Sequence, residues 1–597
     1  MLKKSIGAIQ LSHISLAFIS LMFCLPFITM HHEQPIPSFY PEWLAAALGL
    51  IATFPLLSSA ARRSSQSRVE QTTLKIPQSS LIFLGLAAIL CLQWAIGMLH
   101  SNKYALSMLL YIVWGFLLTV LGSHLRHKFG WEKLVSTLAW SLVVAGIINI
   151  CIVVLQFVMR TGGNIPFLPD LSGYGAISQT NHFANFSAFA TASLIYLYAK
   201  GRFSFSFFNL LLVLFIVMLA LSGSRSVWLY LTALTVLIIM MRNNIIKQGK
   251  ETDRLRGAWR AGIMLLPEFI LIQLLMYYFV PSELISLPTE RLIDGMTERT
   301  SSIRLLFWND SLRIFLQNPW LGVGVDKFRA TTFLLVDSPT AFTSKFVFEH
   351  AHNLFLHLLA EMGIGAFLVV LAGLLAWISA FKWRNLDLET WWLISLLAVL
   401  GIHSMVEYPL WFAFFLGVAS ILLGAGDEKP INLTFSKYLA KFIRPSLLLV
   451  LMLGVTNLTT MLTANIKLEN WLHKLAYQNI NERAPLDWAR QYSSLTPYAE
   501  ALSAMTMGDI KNHDLDKQVL LHQSVINFRP ESIVTYQLAL LLELQGKHER
   551  AVKQLNKAIT AYPANFDIVL QNTTVESKKK YMGLYAEVQK SFKNHAH

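Results

Sequence analysis

At 597 residues the chain has room for several domains, but 54% hydrophobic against 14% charged residues, with a mean hydropathy of +0.49, excludes an ordinary soluble protein. Soluble globular proteins carry about 25% charged residues, so here too few charges remain to coat a large water-facing surface and much of it must face lipid. The formal net charge of +14 does not point to nucleic acid, because the basic residues fall mostly in short loops between apolar runs, the positive-inside signature of cytoplasmic loops.

A membrane-spanning helix needs roughly 20 mainly apolar residues. Thirteen runs qualify, at about 11–30, 42–60, 78–99, 105–123, 134–158, 181–199, 206–222, 226–241, 261–280, 353–380, 390–406, 410–425 and 445–464. Met1-Leu-Lys-Lys leads into the first without an obvious small-x-small cleavage pattern, so a retained span is expected rather than a removed signal. Threaded from a cytoplasmic N-terminus, the runs put Arg62, Arg63, Arg68 and Lys75 inside. Arg126, Lys128, Lys200 and Arg202 follow, as do Arg242, Lys247, Lys250, Arg254, Arg256 and Arg260, then Lys382, Arg384, Lys437 and Lys441. The fold predicted is all-α, a polytopic membrane protein with about 13 transmembrane helices, the last at 426–464. Cys24, Cys91 and Cys151 sit in apolar stretches without metal or redox spacing and read as apolar fillers.

The same threading leaves a loop, 281–351, and the polar tail, 465–597, on the outer side. In the tail Ala539, Gly546, Ala551, Ala558 and Pro563 fit the tetratricopeptide pattern of small contact residues and a closing proline. A domain that caps the membrane part and a protein-binding platform both remain open for it.

Ionisable and polar residues at membrane depth are costly and mark candidate functional sites, and here they gather at outer helix ends. His350-Ala-His352-Asn353 opens the span after the long loop. No Cys or carboxylate set completes a zinc site there, so no metal is expected, whereas a histidine near its ordinary pKa of about 6.5 suits a general base. Ser222-Gly-Ser-Arg225-Ser226 is a tight turn whose guanidinium suits bidentate capture of a pyrophosphate, unless Arg225 simply snorkels. Gln179 and Asn181 can hydrogen-bond sugar hydroxyls or cap a helix start. Glu407-Tyr408-Pro409 makes a fourth outer turn, either structural or orienting a base. In the loop, Arg299, Arg304 and Arg313 accompany Leu305, Trp308, Leu312 and Phe315 at helical spacing, the pattern of a helix lying on the membrane surface. Asn318-Pro-Trp-Leu-Gly322-Val-Gly324 lacks a Walker lysine and is no nucleotide site.

The stretch from His350 through Asn353 and Glu361 to Gly363 resembles the signature of the O-antigen ligase and polymerase superfamily, and the Arg225 turn and the Arg304…Trp308…Gly324 run resemble it in the expected order. Pro26…His31-His32…Pro35-Ile-Pro37…Trp43 and Glu407-Tyr408-Pro409-Leu-Trp411 are similar to protein O-oligosaccharyltransferases that modify pilins. The resemblance implies a pilin-ligase-like N-terminal membrane region over 1–200 and a catalytic membrane region over 201–425. It implies block transfer of an oligosaccharide from undecaprenyl pyrophosphate to Ser or Thr of a periplasmic acceptor protein such as pilin, at an inner-membrane enzyme that meets membrane lipid, with no cofactor and no nucleic acid. His352, or His350, would be the base; Arg225 and Arg304 would stabilise the leaving group. Gln179, Asn181, Arg299, Asn353 and Tyr408 would lie near donor or acceptor, and Glu407 would orient Tyr408 or a histidine. Ligation to lipid A core, glycan polymerisation, transport, and a non-enzymatic scaffold are the competing expectations.

Overall fold

The computed structural model describes residues 2–57, 71–162, 174–177, 179–249, 252–297, 300–336, 347–381, 383, 386–478, 482–506 and 514–594. Arg62, Arg63, Arg68, Lys250, Lys382, Arg384 and Arg299 fall outside them. In chain order the elements are α1 (Leu2–Met22), α2 (Phe39–Thr53), β1 (Gln71–Ile76), α3 (Ser80–Ala95), α4 (Asn102–Phe129), α5 (Trp131–Arg160), α6 (Thr180–Ala199) and α7 (Phe205–Leu221). There follow α8 (Val227–Lys247), α9 (Asp253–Phe279), α10 (Pro288–Thr297), α11 (Thr300–Gln317), α12 (Phe328–Leu335), α13 (Leu354–Ala380), α14 (Leu388–Ser404), α15 (Ala413–Gly426), β2 (Ile431–Ser436) and α16 (Lys437–Gln478). The tail adds α17 (Ala484–Tyr492), α18 (Thr496–Met505), α19 (Leu515–Ile526), α20 (Ser532–Leu544), α21 (His548–Ala561), α22 (Phe566–Gln571) and α23 (Val575–Asn594).

Each of the predicted apolar runs is helical where it is described, and among the described residues eight helices are long and apolar enough to cross a membrane. The chain is a multi-pass, all-α membrane protein with one addition that the apolar runs did not signal. β1 pairs antiparallel with β2, Gln71 opposite Ser436 and Ile76 opposite Ile431. These short polar-apolar segments pair because each supplies the backbone partners the other lacks. A second difference is α16, which runs unbroken from Lys437 to Gln478, well past the expected end of the last span near residue 464.

The chain divides into two compact units, one of residues 1–85, 110–300 and 370–458, the other of 86–109, 301–369 and 459–597. In the first, α6 is the central helix, packed by α5, α7, α8, α9 and α14. Every residue from His182 to Tyr198 is buried. Its small residues, among them Ala184, Ser187, Ala188 and Ala192, let neighbouring backbones approach closely. Its serine hydroxyls are satisfied within the helix: Ser187 donates to Phe183 O at 2.8 Å and Ser193 to Phe189 O at 2.7 Å. Shielded on all sides by apolar helices, α6 tolerates a polar content that keeps it out of the eight.

The second unit has a break in α13. Gly363 takes φ 74° and ψ −172°, freeing carbonyls that a helix would use. The Asn318–Gly324 segment takes them up: Val323 N donates to Ala360 O at 2.9 Å, Gly324 N to Glu361 O at 3.0 Å, and Ile364 N to Pro319 O at 2.9 Å. A Cβ on Gly322 would lie 2.3 Å from the Glu361 carbonyl carbon, and one on Gly363 2.3 Å from Trp320 O, so both glycines are required for the crossing. The Gly-rich run is thus a plug for a broken helix. Tail helices α18 to α23 bury Tyr536, Leu541, Ala551, Ala558 and Tyr581 around one core that also takes in Phe333 of α12.

Candidate active site

Within the first unit, three chain turns meet at the start of α6. Gln179 caps the helix, accepting a hydrogen bond from His182 N at 2.5 Å. Asn181 Nδ2 donates to Glu407 Oε1 at 2.7 Å, and Ser224 Oγ donates to Asn181 Oδ1 at 2.7 Å. One amide therefore links the turn that carries Arg225 to the turn that carries Tyr408. Glu407 and Ser224 are buried, and this chain satisfies part of their polar demand without a formal cation. The Ser222–Arg225 turn needs its glycine, since Gly223 has φ 63° and a Cβ there would lie 2.7 Å from Ser286 O. Arg291 of α10 lies against the same turn, 3.3 Å from that Cβ position, its Nε donating to Ser286 Oγ at 2.8 Å. Tyr408 stacks on Phe412, centroids 5.7 Å apart, and the buried His182 ring stands edge-on to His403, Phe412 and Phe415.

Within the second unit, Asn353 caps α13: its Oδ1 accepts from Phe355 N at 3.1 Å and Leu356 N at 3.2 Å. His352 just before it has φ 50°, a left-handed conformation that costs a non-glycine residue about 1–2 kcal/mol. Such strain clusters at functional sites. The His352 ring lies 5.5 Å from that of Phe307 on α11 and is partly open to solvent. His350 instead packs on His357, centroids 4.9 Å apart. Burial, with His357 and His352 alongside, pushes its imidazole well below the usual histidine range. His357 Nδ1 accepts from Ala351 N at 3.3 Å, and its Nε2 stands 3.3 Å from Glu361 Oε2.

The tail reaches this segment. Glu349, next to His350, takes Arg329 Nη1 at 2.6 Å and Arg529 Nη2 at 3.4 Å, and Arg529 in turn pairs with Glu531 at 2.5 Å. On α11, Arg304 lies near the start, Leu305, Leu312 and Leu316 are exposed, and Phe307 and Ile314 are buried.

Residues 210–371, which contain both the Arg225 turn and the His350–Asn353 segment, match the family described as O-Antigen ligase. Residues 391–573 match the one described as virulence factor membrane-bound polymerase, C-terminal. Over 210–371 the chain is thus similar to the O-antigen ligase family. Its members are membrane transferases acting on lipid-linked oligosaccharide. Among curated proteins it is 24% identical over 68% of its length, and 68% of the relative's, to a general O-oligosaccharyltransferase of Acinetobacter baylyi. It is also 21% identical to a ComP-specific O-oligosaccharyltransferase of the same organism, over 61% of this chain and 64% of that one, just under two thirds of the relative.

Of the residues singled out from sequence, Gln179, Asn181 and Glu407 come together with the Arg225 turn in one unit, and Tyr408 adjoins them. His350, His352, Asn353 and Arg304 belong to the other. Two residues at the first cluster escaped the sequence reading. Arg291 sits in a loop helix with no motif around it, and His182 carries no motif of its own beside Gln179 and Asn181. The offset of His182 from Gln179, one turn into the helix, was the available signal.

Proposed function

We propose that this protein is an O-oligosaccharyltransferase that moves a preassembled oligosaccharide from undecaprenyl pyrophosphate to Ser or Thr of a periplasmic acceptor protein, pilin being the first candidate. The observation that carries the reading is the buried bridge from Ser224 through Asn181 to Glu407, which holds the Arg225 and Tyr408 turns at one helix start. The names of both relatives, and the pilin-ligase-like residues 25–43, point the same way. In this reading the thirteen spans place 281–351 and a tetratricopeptide-like tail, 465–597, in the periplasm.

The chemistry assigned is a single displacement. The acceptor hydroxyl oxygen attacks the anomeric carbon, the bond from that carbon to the pyrophosphate oxygen breaks, and undecaprenyl pyrophosphate departs. His352 takes the hydroxyl proton. It is preferred to His350, because a base whose pKa is driven far below the working pH accepts a proton poorly. Arg225, whose guanidinium has no hydrogen bond or ion pair among the described residues, is available to the leaving pyrophosphate. Arg291, which lies against the same turn, and Arg304 add to that charge. Gln179, Asn181, Asn353 and Tyr408 line donor or acceptor in this reading, and Arg299, which lies outside the described residues, is assigned to donor or acceptor binding with them.

The test uses a Gram-negative host that lacks its own ligase but makes a carrier-linked glycan. The chain is co-expressed with a candidate pilin, and the intact mass of the pilin is read beside a His352→Ala control. A glycan-sized gain that the variant abolishes supports the reading. Glycan on lipopolysaccharide and none on protein would instead make the protein a lipid ligase.

A further inference from the structure

Next to the Asn181 bridge, in the same unit, is a cavity of about 180 Å³ lined by Thr29, His32, Ser38, Gln179, His182 and Phe412, among others. One wall is the early segment whose role the transfer chemistry leaves unexplained. His32 pins it: Nδ1 lies 2.9 Å from Pro37 O and Nε2 2.8 Å from Ala176 O, just before α6. Ser38 donates to Glu42, and Glu42 also takes a backbone hydrogen bond from Ala413 at the start of α15. The segment is therefore built onto the ends of two other helices.

His182 also lines the cavity; it is only 2% exposed, and its Nε2 is buried with no hydrogen-bond partner among the described residues. An unsatisfied buried polar atom costs about 1–3 kcal/mol and calls for an explanation. The neighbouring rings of His403, Phe412 and Phe415 approach it edge-on, at centroid distances of 4.6 to 5.3 Å. The cavity lining contains hydroxyl, amide and imidazole groups between proline and phenylalanine faces, and no Lys, Arg, Asp or Glu. Such a wall does not suit a phosphate. It suits a neutral ring with hydroxyls at its rim and apolar C–H faces.

We propose that this cavity receives a sugar ring of the glycan donor, that His182 hydrogen-bonds one of its hydroxyls, and that the His32–Glu42 segment exists to wall that sugar subsite. A hydroxyl both donates and accepts, so it satisfies His182 in either tautomer. The assignment rests on the transferase reading and adds to it where the sugar lies relative to the charged groups at the Arg225 turn.

The test measures binding of two probes to the purified full-length chain in detergent: farnesyl pyrophosphate, and farnesyl pyrophosphate carrying N-acetylglucosamine. The sugar-bearing probe is expected to bind about tenfold more tightly, the worth of one or two well-made hydrogen bonds. His182→Phe, which keeps the ring, and Ile177→Trp, which fills the cavity, should each bring the two probes to within about twofold. Unchanged affinity for farnesyl pyrophosphate would show that both variants are folded. A sugar preference that survives both variants overturns the subsite and leaves the transferase reading intact. No preference in the native chain also overturns the subsite, and the pilin mass assay then decides separately whether the transferase reading falls with it.

Discussion

The two polar clusters are held together by different physics. In the first unit the bridge is made of neutral groups and one carboxylate, Ser224 to Asn181 to Glu407, buried at helix ends of an apolar bundle. In the second, the segment bearing His350 and His352 hangs on ions, Glu349 between Arg329 and Arg529, half open to water and drawing on the tail. A buried hydrogen-bond chain is rigid, and any missing member leaves costly orphans. An exposed ion network is adjustable and is screened by salt. On the proposed reading the rigid cluster suits a fixed donor, and the adjustable one suits a base that must meet varied acceptor chains.

The largest effect expected from breaking this contrast is at His352. His352→Asn keeps a residue that tolerates the left-handed backbone, so folding should survive while transfer falls by about 10²–10⁴-fold. Normal turnover in that variant, read from pilin mass against time, would remove His352 as the base. Next comes the scaffold beneath it. Gly322→Ala puts a Cβ 2.3 Å from backbone at a φ of 64°, and thermal unfolding in detergent should show a drop of several degrees or failure to fold.

A smaller loss is expected from Asn181→Ala, which removes the hydrogen bonds to Ser224 and Glu407 at about 1–3 kcal/mol. Its unfolding midpoint should fall at all salt concentrations. Glu349→Gln should behave in the opposite manner: a few-fold loss of turnover, little change in stability, and the native enzyme drifting toward the variant as salt rises. Equal salt responses in the two variants would erase the contrast drawn here.

The smallest effect concerns Asp326, in the second unit, where burial, with the nearby Glu361 carboxylate adding, pushes its pKa up to about 7 from an ordinary 3.8. Between those values the folded chain holds a proton that the unfolded chain has released, so stability should decline from about pH 4 to pH 7 and then level. Asp326→Asn should flatten that slope, and an unchanged slope would assign it to other groups.

Much of the architecture was legible beforehand because span formation is local. About 20 apolar residues suffice to place a helix in lipid, and every run so identified is helical where it is described. The turns holding Gln179, Asn181, Arg225 and Glu407 were legible as polar groups in costly places. The strand pair was not, since Gln71–Ile76 and Ile431–Ser436 are each too short to declare themselves without the other. The meaning of Gly322 and Gly363 was hidden for a similar reason. Each looks like a loop glycine until the broken helix and its plug are seen to cross.

By itself the sequence determined which runs form apolar helices, which residues are too polar to sit idly at their ends, and the order of the family-like motifs. Only the tertiary structure decided which of those residues meet. Asn181 and Glu407 are 226 positions apart, and Arg291 reaches the Arg225 turn from a different helix. Hydropathy is a property of each segment alone. A hydrogen-bond partner is a property of how distant helix ends are brought together, and packing around α6 settles that.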